Sequence, residues 1–87
     1  MSNPRYQALT EELNEHRRKL VGSVVRHVNS GGVYEVDDIV FREADMKPMV
    51  IYFPHVDDEE ITMNSFARPL DEFMDGRFAF VGKLSDE

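Results

Sequence analysis

The sequence predicts an α+β fold, mainly β, with one N-terminal amphipathic helix followed by a small antiparallel barrel of five strands. Three observations predict it. Apolar residues recur at helical spacing as far as Leu20. After Gly22 the period falls to about two, the strand spacing. Turns rich in Gly, Pro, Asn and Asp then cut the rest of the chain into short segments.

The helix is expected over residues 3–20. Asn3 can cap it, and Pro4 suits the first helical position, where its missing N–H is not needed. Tyr6, Leu9, Leu13 and Leu20 form one apolar stripe. Glu11, Glu12 and Glu15 precede Arg17, Arg18 and Lys19, an order that complements the helix dipole. Gly22 is a natural stop. The stripe packs on its own domain or, as a second use, on another copy in a homodimer through this helix.

Strands follow. Residues 23–28 form the first, Asn29-Ser30-Gly31-Gly32 a tight turn, and residues 33–41 the second. Tyr34 and Val36 share a face, while Ile39 and Phe41 fall out of phase with them. One extra residue near Asp37-Asp38, a β-bulge, would restore the phase and bend the strand. Residues 42–48 read as a polar loop and Met49–Phe53 as a third strand covered on both faces. Val56 to Glu60 is an acidic hairpin tip, and Ile61 to Ser65 alternates as a fourth strand. Arg68 to Phe73 suits a tight turn or one helical turn, and Arg77 to Val81 a short last strand. Five short, bulged strands close most easily as an SH3-like barrel, which limits exposed edges. The domain plan is therefore a helix at 1–21, the barrel at 22–84 and a frayed tail at 85–87.

Composition narrows the functional classes. The chain has 87 residues, one domain's worth, and no cysteine, which excludes disulfides, thiolate zinc sites and cysteine nucleophiles. Its net charge of −7 repels polyanions, so a nucleic-acid polymer is not an expected partner. No apolar run approaches the length of a membrane span, and the first residues lack a secretion signal. A cytoplasmic location is the expectation.

In order and spacing, several residues form a pattern. They are Gly22, Arg26-His27, Gly31-Gly32, Tyr34-Glu35-Val36, Val50-Ile51-Tyr52, Phe66-Ala67-Arg68-Pro69 and Phe73. On these, residues 22–82 resemble the bacterial and phage domain-of-unknown-function family 1653. Val25 stands where that family usually has an aromatic residue, Phe66 stands where Trp is common, and the N-terminal helix lies outside the pattern. The resemblance implies a small SH3-like β domain and carries no settled activity.

Arg26, His27 and Arg68 form the sharpest polar constellation. Arg26 and His27 must point to opposite sheet faces, because strand side chains alternate. An arginine held at the Arg68-Pro69 corner suits bidentate recognition of a carboxylate or phosphate, with Tyr34 or Tyr52 stacking on a flat ring. The structural alternative pairs Arg68 with Asp71 or Glu72 and uses His27 to satisfy a buried carbonyl. No nucleophile motif or phosphate-binding glycine loop is present, so no catalytic residue or cofactor is assigned. His55 with Asp57 and Asp58 lacks the separated ligands of a metal site and reads as an exposed acidic turn.

Two functions are therefore expected of the sequence. The first is a non-enzymatic module binding a small anionic or nucleotide-like ligand through Arg68, His27, Arg26, Tyr34 and Tyr52. In a phage setting it would sequester a signalling nucleotide. The second is an acidic adaptor or inhibitor that docks a basic protein through Asp37, Asp38, Asp57, Asp58, Glu59 and Glu60.

Overall fold

The computed structural model describes residues 4–55 and 64–83. Helix α1 spans Pro4–Leu20 and is followed by strands β1 (Ser23–His27), β2 (Val33–Arg42) and β3 (Lys47–Pro54). Strand β4 (Phe66–Pro69), the single-turn helix α2 (Leu70–Phe73) and strand β5 (Phe78–Lys83) complete the chain. The expected cap at Asn3, the acidic tip at 56–60 and the tail at 85–87 lie outside the described residues.

Helix α1 ends where the sequence places its stop. Val21 makes a last helical bond to the Arg17 carbonyl, and Gly22 then turns at φ 87°. That left-handed backbone suits glycine. The Gly22 N–H leaves the helix and donates to the Val36 carbonyl of β2 at 2.9 Å, which starts the sheet.

The strands form one antiparallel sheet in the order β4-β3-β2-β1-β5. The register of β2 on β3 slips between Val36 and Asp38, the bulge that the phase of the sequence requires. Val36 then lies opposite Tyr52 and Ile39 opposite Val50, on one face. Asp38 Oδ1 accepts the Ile39 N–H at 2.7 Å and the Arg17 Nε–H at 3.1 Å, while that same Nε–H reaches the Ile39 carbonyl at 2.9 Å. The bulge is thus the point where α1 is tied to the sheet.

Two expectations are corrected. The fourth strand is Phe66–Pro69, opposite Met49–Tyr52; Asn64 and Ser65 are not strand, and residues 61–63 lie outside the description. Of the tight turn or single helical turn expected over Arg68 to Phe73, the helical turn is the one present, at Leu70–Phe73, while Arg68 and Pro69 end the strand. The barrel is also not closed, since no backbone pairing joins β4 to β5 among the described residues. Pro69 lacks an N–H, and α2 carries the chain away at once, so β4 is too short to complete a ring of strands.

The open sheet nevertheless curls. β3 and β5 stand three strands apart, about 14 Å if flat. Yet the Tyr52 and Phe78 rings approach to 5.6 Å. A second bulge on β5, where Val81 faces no residue of β1, adds to the bend. The core fills the concave side: Val25, Val36, Ile39, Val50 and Tyr52 from the sheet, Leu13 and Leu20 from α1, and Leu70 and Phe73 from α2. The α1 stripe therefore packs on its own sheet, with Tyr6 resting near Phe41 at its outer end.

Candidate functional site

Register decides which candidate residues meet. Val25 lies opposite Tyr34 and Phe80, His27 opposite Phe78, Tyr52 opposite Phe66, and Val50 opposite Arg68. Residues directly opposite share a face. His27, Tyr34, Tyr52 and Arg68 therefore stand on the concave face with Phe66 and Phe78. Arg26 pairs with Val33 and Ala79 and sits on the other face, apart from the group.

Around Arg68 the wall is aromatic. Its guanidinium carbon lies 5.7 Å from the centre of the Phe78 ring, and Nε donates a long bond of 3.4 Å to the Tyr52 hydroxyl. Tyr34 meets Tyr52 edge-on at 5.3 Å, and Phe66 reaches both tyrosines at 6.3 and 5.8 Å. Phe73 stacks on Phe78 at 4.4 Å and links this wall to the core. Gly32 leaves room for this arrangement, since a Cβ there would meet the Tyr34 hydroxyl at 3.0 Å and push the ring by a few tenths of an ångström.

Among the described residues the charge of Arg68 is only loosely answered. Glu72 Oε1 stands 3.6 Å from one Arg68 nitrogen and 3.8 Å from an Arg77 nitrogen, beyond ordinary hydrogen-bond length for both. Asp71 pairs instead with Lys47 at 3.3 Å. The bond to the Tyr52 hydroxyl outweighs burial and holds the Arg68 pKa above its ordinary value, with Glu72 and Asp75 acting in the same direction. The group stays a cation, and 27% of its side chain remains exposed.

His27 is set by its own turn. Its Nδ1 accepts the Ser30 backbone N–H at 3.2 Å and lies 3.0 Å from Ser30 Oγ, which in turn accepts the Gly32 N–H. An accepting Nδ1 puts the neutral ring's proton on Nε2. The ring stands edge-on to Phe78 at 5.1 Å, so Phe78 touches both His27 and Arg68. Nε2 has no hydrogen-bond partner among the described residues.

The acidic candidates divide. Asp38 is bonded to Arg17 and to its own bulge, while Asp37 is exposed. Asp57, Asp58, Glu59 and Glu60 lie outside the described residues. His55 stands 3.7 Å from Glu35, and the described residues contain no cluster able to hold a metal ion. Among the described residues no helix is long and apolar enough to cross a membrane.

Sequence reasoning missed Phe78 and Arg77. Alternation along the last strand does group Phe78 with Phe80, but only the pairing of β5 with β1 brings Phe78 to His27. Two open grooves lie elsewhere. One of about 420 Å³ is lined by Arg5, Tyr6, Leu9, Asp45 and Met46. The other, of about 350 Å³, runs between α1 and α2 past His16, Lys47 and Met74. Neither includes Arg68.

Comparison with protein-family models, curated proteins and solved structures finds no match. The likeness to family 1653 therefore rests on the quoted residues alone.

Proposed function

We propose that the aromatic half of the concave face binds a small anionic, nucleotide-like ligand and that the protein is a binding module rather than an enzyme. One observation carries this reading: Arg68 is a permanent cation set in an aromatic wall, with its nearest carboxylate among the described residues 3.6 Å away. A phosphate or carboxylate forms shorter, bidentate bonds with a guanidinium and would displace so loose a partner. Arg77, already bonded to Asp75 at 2.9 Å, shares the same Glu72 oxygen at 3.8 Å and adds a second cation beside the site. Phe66, 46% exposed, offers a ring face for a flat group, and the His27 Nε2–H offers a donor. On this reading the curled sheet is an SH3-like half-barrel, its ends bridged by side chains. A signalling nucleotide sequestered in a phage-infected cell would be one such ligand.

The adaptor reading has less support, because Asp38 is committed to Arg17. Calorimetric titration with a panel of mononucleotides, cyclic nucleotides and inorganic phosphate separates the two. Arg68→Gln should weaken nucleotide binding by about 10- to 100-fold, the loss of a charge-assisted pair. Asp37→Asn should leave it unchanged. Binding that survives Arg68→Gln, or no binding by any member of the panel, overturns the proposal.

A further inference from the structure

The two edges of the sheet are protected unequally. β4 has four residues, ends in Pro69, carries the inward-pointing charge of Arg68 and runs straight into α2. Short length, proline and inward charge are the usual means of blocking a free edge. β5 has six residues, Phe78-Ala79-Phe80-Val81-Gly82-Lys83, with no proline and no acid. Among the described residues it pairs only with β1.

Its one charge does not guard it. Lys83 Nζ donates to the Arg18 carbonyl at 3.0 Å, which draws that side chain back onto the end of α1. Phe80 is 55% exposed on the concave face, and Val81, turned out by its bulge, is 63% exposed. Large apolar side chains thus flank a strand edge that has no partner among the described residues.

We infer that β5 is a self-association edge, where a second copy of this chain adds its own β5 antiparallel across a two-fold axis. Two features favour a second copy. An antiparallel edge is self-complementary under a two-fold rotation, and an axis at Phe80 sets that ring against its counterpart. Charge also favours this edge. The chain carries −7, so copies repel over most approaches, but neither β5 nor its neighbour β1 contains an acidic residue. The α1 stripe is a poorer dimer surface, because Leu13 and Leu20 are only 2% and 4% exposed in their own core. The association is carried by Phe80, Val81 and the outer edge of β5, the strand whose Phe78 also lines the proposed ligand site; Arg68 takes no part in it, so Arg68→Gln should leave it unchanged and the two proposals are tested apart.

Sedimentation equilibrium of the whole chain, from micromolar to near-millimolar concentration, tests it. A monomer–dimer equilibrium is expected, and it should strengthen with added salt, which screens the repulsion between acidic copies. Phe80→Lys should weaken it by about tenfold or more, as loss of a central aromatic anchor does. Val81→Lys is the second variant; both positions are exposed, and an unchanged melting temperature verifies folding. Amide exchange should slow along β5 as concentration rises. A monomer throughout would leave the edge to a foreign strand and overturn the inference. So would a dimer that persists in both variants, or one that forms without protecting the β5 amides.

Discussion

Where α1 crosses the concave face, the sheet is aliphatic and sealed; where α1 does not reach, the same face is aromatic and half open. In the first half Leu13 and Leu20 close over Val25, Val36, Ile39 and Val50, and the bulge is tied down by Arg17. In the second, Tyr34 meets Phe66 and Phe78 edge to face, Phe78 lies against Arg68, and Phe66 and Phe80 are left exposed. Aliphatic side chains gain most from full burial. Aromatic rings with hydroxyls and a cation at hand hold together while part of their surface stays wet. The contrast separates a sealed half from the half that carries the proposed ligand site.

The comparison breaks most sharply under truncation. Ile39→Ala should cost about 2–5 kcal/mol of stability in urea denaturation, because it empties a fully buried site. Phe66→Ala should cost only about 1 kcal/mol while weakening ligand binding. Equal losses of stability at the two positions would show that both halves are core.

A smaller effect of opposite sign is expected at Ser23. Its side chain is wholly buried, and its Oγ has no hydrogen-bond partner among the described residues. Ser23→Ala should raise stability by about 1 kcal/mol, since it removes an unpaid desolvation of the hydroxyl. A loss of stability would mean that the hydroxyl is bonded.

The smallest effect lies at the β2–β3 turn, beside the outer end of α1. Asp45 binds Arg42 at 3.0 and 2.6 Å, and this pairing lowers its pKa from 3.8 to about 2. A carboxyl with a lowered folded-state pKa stabilises above its unfolded value and loses that contribution as pH falls through the folded one. The wild type should therefore exceed Asp45→Asn slightly in melting temperature at neutral pH, and the gap should close by about pH 2. Salt should narrow it too, because the pair is exposed. A gap that persists at that pH would assign the effect to the turn's hydrogen bonds rather than to charge.

The fourth strand was expected at residues 61–65 and lies at Phe66–Pro69, while the helix, its stop at Gly22, the other four of the five strands and the bulge after Val36 were legible in the sequence. Each follows from local rules: apolar period, left-handed glycine, and the parity of Tyr34 and Val36 against Ile39 and Phe41. Parity also dictated that Arg26 and His27 part company. It could not say which of them would face inward, because that depends on where the concave side lies. Only the tertiary structure decided that His27 joins Arg68, through Phe78. It also decided that Glu72 rather than Asp71 answers Arg68, and that the sheet curls without closing. These outcomes turn on which strands lie side by side and how far two bulges bend them. Such long-range geometry leaves no period in a chain of 87 residues.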